Sequence, residues 1–203
     1  MKVEGAVCVV TGGGHGIGAA LARRFVAEGA AGVVVCDLDG AAADAVAASV
    51  PDGTAIAVAG DVTDPSTHHQ LVAAAEQRFG PVDLYCSNAG IGGEDWHRVW
   101  DVNVMAHVHA ADAVLPSMLE RGRGWLLQTA SAAGLLVNLG DAAYTATKHA
   151  AVGFAEWLSA TYRHRGIGVS CLCPMGVDTD LFRRATEGLA GAVVAGAGDV
   201  LSP

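Results

Sequence analysis

Aromatic residues are scarce in this chain, at 5% of 203 residues. No uninterrupted apolar run approaches the ~18 residues that a membrane span requires. The N-terminus, Met1-Lys2-Val3-Glu4-Gly5, lacks the charged, then apolar, then small-residue order of a signal peptide. A cytoplasmic location is the expectation. No cluster of basic residues is present and the formal net charge is −9, which argues against nucleic-acid binding. No CxxC pair occurs among Cys8, Cys36, Cys86, Cys171 and Cys173. These five, an odd number set in Val-, Leu- or Ile-rich segments, read as buried reduced thiols. His68-His69 and the His107/His109 pair lack the spacing of a metal-binding helix, so no metal site is expected.

What is present is apolar and small. Hydrophobic residues make up 52% of the chain, much of it Ala and Val, which excludes low-hydrophobicity disorder. One domain with a sizeable core over residues 1–203 is expected. Apolar runs at Val7–Val10, Val33–Cys36, Ala55–Ala59, Val82–Cys86, Trp125–Gln128 and Val169–Cys173 read as strands. Between them lie helical patterns. Ile17, Leu21 and Phe25 recur at four-residue steps, and Ala41–Ala48 is helix-forming. Pro65 can open a helix carrying Leu71, Ala74, Ala75 and Phe79. Val104, Val108, Ala111 and Leu115 line another, whose last turns Pro116 should disturb. Tyr144–Arg163 reads as a long helix. This alternation predicts an α/β fold with a doubly wound parallel sheet, Rossmann-like, in three αβα layers. After Thr179 the pattern weakens. Thr186–Gly198, rich in Ala and Gly, reads as a flap or a weak helix.

Thr11-Gly12-Gly13-Gly14-His15-Gly16-Ile17-Gly18 joins the first strand to the first helix. Glycines there let the backbone approach phosphate groups, and a helix N-terminus offers free N–H groups. The spacing is GxxxGxG, at Gly12, Gly16 and Gly18, and no GK[ST] follows, which disfavours a P-loop. A flexible glycine turn would have the same composition; the strand-to-helix position favours a dinucleotide cradle. Asp37 ends the second strand, 19 residues after Gly18. A carboxylate there accepts the adenosine ribose hydroxyls and repels a 2′-phosphate, and Leu38 follows where an Arg would serve that phosphate. NAD is favoured over NADP, with His15 as a group that could assist a 2′-phosphate when protonated.

Tyr144 and Lys148 stand four apart on one helix face, in a chain with three tyrosines and two lysines. An ammonium beside a phenol favours phenolate, giving an acid/base near neutral pH. With these residues in order, the chain resembles the short-chain dehydrogenase/reductase family. The resemblance rests on Thr11–Gly18, Asp37, Asp61-Val62, Asn88-Ala89-Gly90, Asn103, Ser131, Tyr144–Lys148 and Pro174–Thr179, and runs from about Val7 to Thr179. Ser131 lies 13 residues before Tyr144, as in the family. The resemblance implies that Tyr144 is the general acid/base, that Ser131 binds the same substrate oxygen, and that Lys148 holds the nicotinamide ribose. Asn103 would keep an ordered water behind Lys148. Asp61 and Val62 would flank the adenine, and Asn88, Ala89 and Gly90 would line the cofactor floor. Pro174, Gly176, Val177 and Thr179 would close over the nicotinamide. Taken singly, Ser131 is also a turn cap, Asn103 a helix N-cap and Asn88 a turn residue; the roles gain weight together.

Three departures from the family pattern stand out. Only 12 residues separate Gly90 from Asn103, so the cleft wall at Ile91–Trp100 is compressed, with Trp96 and His97 near its rim. Met175 replaces the usual Gly after the proline. Family members usually continue through a further helix and a seventh strand, and neither is recognisable here, which would leave the sixth strand as an edge. The resemblance implies a dimer or tetramer, while those elements build much of that interface. Ala133, Leu135, Leu136, Val137, Asn138, Ala143 and Met175 are the expected pocket residues, suited to a neutral or partly hydrophobic alcohol or ketone. The leading expectation is an NAD-dependent alcohol or hydroxysteroid-like dehydrogenase acting on a small molecule. A 3-ketoacyl-thioester reductase and a non-catalytic NAD(H)-binding regulator are the alternatives.

Overall fold

The computed structural model describes residues 1–185 and 200–203. Six strands form one sheet: β1 (Val7–Thr11), β2 (Gly32–Asp37), β3 (Ala55–Ala59), β4 (Leu84–Ser87), β5 (Gly124–Thr129) and β6 (Ile167–Leu172). All pairings are parallel, in the order β3-β2-β1-β4-β5-β6. The helices are α1 (Gly16–Ala27), α2 (Gly40–Ala48), α3 (Pro65–Arg78), α4 (Trp96–Trp100), α5 (Ala106–Arg121), α6 (Ala142–Tyr162) and α7 (Asp180–Ala185).

The continuous apolar strands follow from burial on both faces. Side chains alternate across a sheet, so β1 and β2 divide between two cores. Val7, Val9, Val34 and Cys36 face a core closed by Leu71, Val72 and Ala75 of α3, Val114 and Met118 of α5, and Leu158 of α6. Cys8, Val10, Val33 and Val35 face the other, closed by Ala19, Ala22 and Phe25 of α1 and Ala43 and Val46 of α2. Burial pushes the Cys8 and Cys36 thiols up to about 12, which keeps them neutral and unreactive.

The chain steps outward through β1, β2 and β3, then returns to the other side of β1 with β4. That reversal parts the loops leaving β1 and β4 and opens a crevice at their C-terminal ends. The expected doubly wound, Rossmann-like sheet is the one observed. Strand limits shift where side chains intervene. The fourth strand starts at Leu84 and not at Val82, because Asp83 turns its carboxylate onto Val7 N–H and Arg121. The sixth ends at Leu172, short of Cys173.

Pro116 does not break its helix. α5 continues to Arg121 and stops at Gly122 with φ +64°. The carbonyl that Pro116 deprives of a partner belongs to Asp112, and both residues are exposed, so water serves it. The irregularity lies earlier: Asp101–Met105 forms a π-helical turn that joins α4 to α5. Beyond Thr179, where the sequence pattern fades, α7 forms a short helix. Thr186–Gly198, expected as a flap or weak helix, lies outside the described residues. Leu201 bridges Val177, with Asp178 N–H donating to Leu201 O and Leu201 N–H to Gly176 O. Among the described residues β6 pairs only with β5, and no helix is long and apolar enough to cross a membrane.

Candidate active site

The crevice is lined first by the loop Thr11–Gly18. Asp39, Asp64, Asp95 and Asp141 cap α2, α3, α4 and α6 through side-chain oxygens. Helix α1 is different: its N-cap residue His15 makes no side-chain cap bond. The N–H groups at its start therefore have no side-chain cap acceptor. Two glycines fix the loop's shape. Gly16 has φ +48°, and a Cβ there would stand 2.8 Å from Thr179 Cγ2. A Cβ on Gly18 would lie 2.0 Å from Gly12 O. Ile17 follows in the first turn of α1.

The second wall is the segment after β4. Asn88 Nδ2 donates to Thr11 O at 3.1 Å and to Gly12 O at 3.3 Å. The Thr11 hydroxyl accepts from Asn88 N–H and Ala89 N–H. Asn88 thus pins the glycine loop to the sheet. A Cβ on Gly12 would lie 2.8 Å from Ala89 Cα, so these two walls touch.

Asp37 closes the loop from the β2 side. Its Oδ2 accepts from Gly14 N–H at 2.9 Å and its Oδ1 from Asp39 N–H at 3.0 Å. His15 Nδ1 lies 4.0 Å from Asp37 Oδ2, so His15 faces the carboxylate. Leu38 is exposed. At the end of β3, burial raises the Asp61 carboxyl, but Thr63 N–H and O–H and the Arg98 guanidinium outweigh it and hold it below the usual range. Val62 packs with Val102 and Ala106, and with Ala89 and Ile91. Arg98, on α4, had no signal in the sequence beyond its charge.

Ser131, Tyr144 and Lys148 come together where β5 ends and α6 begins. Asp141 Oδ1 caps α6 by accepting Tyr144 N–H at 2.8 Å, and its Oδ2 accepts Gly93 N–H at 3.0 Å. The Ser131 hydroxyl accepts from Ala133 N–H and lies close enough to the Tyr144 phenol to pull its pKa down. Lys148 is buried, donates to Thr129 O at 3.0 Å, and has its Nζ 5.5 Å from the Tyr144 ring centroid. A Cβ on Gly90 would be 3.1 Å from that Nζ.

The electrostatics differ from the sequence expectation. Burial pushes the Tyr144 phenol up, the Ser131 hydroxyl pulls it down and Asp141 pushes it up. The Lys148 ammonium lies over the Tyr144 ring. Burial lowers Lys148 to about 8, opposed by Cys171 and Cys173.

Asn103 lies in the π-helical turn and is fully buried. Its Oδ1 accepts Ile91 N–H at 2.9 Å, and its Nδ2 donates to Ile91 O at 2.8 Å and Thr147 Oγ1 at 3.1 Å. The side chain is committed to tying the loop after β4 to α6. Thr147 and the capping Asp141 were missed by sequence reasoning, although an Asp three residues before Tyr144 is a readable helix-cap signal.

The loop after β6 forms the remaining wall. Pro174 O accepts Ala132 N–H, Val177 is buried, Gly176 packs on Phe182, and Thr179 contacts Gly16 and accepts Phe182 N–H. The crevice mouth is apolar. Leu135, Leu136, Val137, Leu139 and Met175 are exposed, whereas Ala133 and Ala143 are buried framework. A Cβ on Gly92 would meet the Tyr144 ring at 3.9 Å and Leu181 Cδ1 at 4.0 Å, so both side chains border that glycine. Trp96, half exposed, starts α4 at the rim.

Comparison with known proteins is consistent along the chain. A family model described as short chain dehydrogenase matches residues 6–190. The 1-deoxy-11-beta-hydroxypentalenate dehydrogenase of Streptomyces exfoliatus is 40% identical over 200 residues, covering 92% of this chain and 72% of that protein. A crystal structure of a short chain dehydrogenase/reductase from Burkholderia phymatum in complex with NAD superposes with a TM-score of 0.85 at 33% identity, over 90% of this chain and 70% of that one. The 3-ketoacyl-(acyl-carrier-protein) reductase from Brucella melitensis complexed with NADH gives a TM-score of 0.89 at 31% identity, over 99% and 87%.

Proposed function

The chain belongs to the short-chain dehydrogenase family of oxidoreductases, and on that premise we propose that it interconverts a secondary alcohol and a ketone with NAD. The observation that carries this reading is the Ser131 hydroxyl close enough to the Tyr144 phenol to hold its pKa down, one helical turn from buried Lys148.

In the oxidative direction the alcohol oxygen sits between the Ser131 and Tyr144 hydroxyls. Tyr144 Oη, in its phenolate form, takes the alcohol proton as general base and becomes the phenol. Ser131 donates to the same oxygen as negative charge develops on it. Lys148, anchored on Thr129 O, presents its other ammonium protons to the cofactor ribose. The nicotinamide supplies the hydride chemistry when bound. Asn103, through Ile91 and Thr147, holds two walls of the crevice in register.

The chain's own residues fit the cofactor. The uncapped start of α1 suits a pyrophosphate, and Gly12, Gly14, Gly16 and Gly18 let the loop that presents it pack where a Cβ would clash with its neighbours. The Asp37 carboxylate suits the two ribose hydroxyls and opposes a 2′-phosphate, which supports NAD over NADP. Asp61 and Val62 stand at the end of β3, where an adenine would lie, and Pro174, Gly176, Val177 and Thr179 line the nicotinamide side.

The similarity to an NADH-bound ketoacyl reductase means that cofactor choice does not separate that alternative. The crevice wall supports the first reading. No Lys or Arg occurs between Ala132 and Asp141, and the exposed leucines and Val137 favour a neutral, hydrophobic alcohol over a phosphate-bearing carrier thioester. The test is titration with NADH and with NADPH, followed by nicotinamide fluorescence. Tighter NADH binding supports the reading; binding of neither cofactor defeats it.

A further inference from the structure

The five cysteines divide into two groups. Cys8, Cys36 and Cys86 are buried, whereas Cys171 and Cys173 are half-buried. The expectation of buried thiols holds for the first three alone. Cys171 lies in β6, and Cys173 follows the last residue of that strand, Leu172. Residues two apart on an extended chain share a face. The two Sγ atoms meet at 3.8 Å, one thiol donating to the other. Ile167 and Val169, on the same alternation, pack into the core that Leu158 of α6 closes. The sulfur pair continues that face.

The pair borders the candidate site. In the β5–β6 ladder Cys171 is opposite Gln128, and Leu172 is opposite Thr129, whose carbonyl accepts the Lys148 ammonium. Both sulfurs bear electrostatically on Lys148. Ala130 N–H donates to Leu172 O, between the two cysteines, and Ala132 N–H donates at 2.8 Å to Pro174 O, directly after them. Ser131 stands between those two donors. The sulfurs thus sit at the root of the loop Pro174–Thr179, and no step of alcohol–ketone interconversion employs them.

Two thiols in contact are a site for reagents that take two sulfurs. Cα atoms two residues apart on a strand are ~6.6 Å apart, inside the upper end of the ~4.4–6.8 Å that a disulfide spans. A bridge near that limit is labile and not structural. Closing it draws the Cα atoms toward the ~5.5–6 Å that disulfides prefer. Cys171 is held in the ladder, so the movement falls on Cys173 and on Pro174 behind it. Burial first, and then Cys173, pushes the Cys171 thiol up to about 12, opposed by Ala130 N–H and Lys148. Cys171 therefore keeps its proton at neutral pH, and Cys173 supplies the first attacking sulfur.

We propose that Cys171 and Cys173 form a dithiol site that small disulfides close into an internal bridge, and that closure breaks the Ala132–Pro174 bond and loosens the loop at its root. In the first step the Cys173 thiolate attacks the reagent RS–SR, forming Cys173–S–S–R and releasing RS⁻. Cys171 then gives its proton to RS⁻, and its sulfur attacks Cys173 Sγ and expels the second RS⁻. The protein loses two hydrogens and two electrons, and RS–SR is reduced to two RSH. On the reading above, this loop is the nicotinamide wall, which makes the site a lever on cofactor binding. The test reads the sulfurs and the loop directly, without cofactor, so its failure is separable from a failure of that reading.

The reduced full chain is treated with hydroxyethyl disulfide, without denaturant, and read by intact mass and peptide mapping. The unmodified chain loses two hydrogens in one bridge between Cys171 and Cys173, and dithiothreitol restores them. Cys171→Ser stops at a mixed disulfide on Cys173. Cys173→Ser takes up no reagent, because Cys8, Cys36 and Cys86 are buried. Hydrogen exchange then compares the reduced and bridged chains. The Ala132 amide exchanges about five-fold faster or more in the bridged chain, the worth of one hydrogen bond. If a serine variant does not fold, the peptide map of the unmodified chain decides. Failure to lose two hydrogens, or a bridge through another cysteine, overturns the site. An Ala132 amide equally protected in both chains overturns its coupling to the loop.

Discussion

Replacing Lys148 by Met should make the cofactor-free protein more stable at neutral pH while ending its turnover. An ammonium lowered from 10.5 to about 8 by burial corresponds to a penalty of about 3 kcal/mol on the charged form. Methionine removes the charge at similar length, but it leaves Thr129 O without the Lys148 bond, which offsets about 1 kcal/mol. The net gain expected at pH 7 is about 1–2 kcal/mol. The sign with pH follows from linkage. Between pH 8 and 10.5 the unfolded chain holds a proton on Lys148 that the folded chain has released, so stability from this group rises with pH. Cys8 and Cys36, raised from 9.0 to about 12, act in the opposite direction: their contribution is lost as pH rises from 9 towards 12. The two proteins are therefore compared at matched pH by urea denaturation. Lys148→Met should exceed the unmodified chain at pH 7 and lose that margin by about pH 10. A variant less stable at pH 7, or a margin independent of pH, would refute the assignment of Lys148 as a charge held against desolvation.

Four other outcomes follow. Tyr144→Phe should lower kcat by about 10²- to 10⁴-fold with NADH affinity nearly unchanged, because only the acid/base proton is lost; steady-state kinetics beside fluorescence titration read both. Asp37→Ala should raise affinity for NADPH relative to NADH, and an unchanged ratio would show that the ribose carboxylate lies elsewhere. Gly18→Ala places a methyl 2.0 Å from Gly12 O, so the loop must open, at about 2 kcal/mol or more in thermal stability and with marked loss of NADH binding. Asn103→Leu leaves the Ile91 N–H and C=O without their Asn103 partners, costing about 1–3 kcal/mol for each buried group, and should reduce turnover more than cofactor affinity.

The sheet was legible because its strands are buried on both faces and spell their burial in Val and Ala. Gly-rich turns made several boundaries readable, and Pro65 marked a helix start, which the structure places behind a capping Asp64 that the sequence reading did not use. The places where reading failed share a cause. Pro116 is tolerated because the carbonyl it orphans faces water, which depends on which side of α5 is exposed. The π-helical turn around Asn103 is invisible to a 3.6-residue periodicity. The site residues Ser131, Tyr144 and Lys148 were legible as a spaced set, and the structure brings them together. Their electrostatics were not legible: spacing put the ammonium near the phenol, whereas its placement over the ring and the burial of both set the direction of each shift. Arg98 on Asp61 and His107 on Gln128 are contacts between distant segments, and no local pattern announces them.

The most direct test of the central claim is formation of reduced nicotinamide when the purified protein is mixed with NAD and a panel of hydrophobic secondary alcohols, with Tyr144→Phe alongside. The account predicts NADH formation by the unmodified chain on at least one alcohol, much slower with NADP, and nearly abolished in Tyr144→Phe. A protein that binds NADH yet oxidises none of the panel, or a Tyr144→Phe variant that turns over at the same rate, would contradict it.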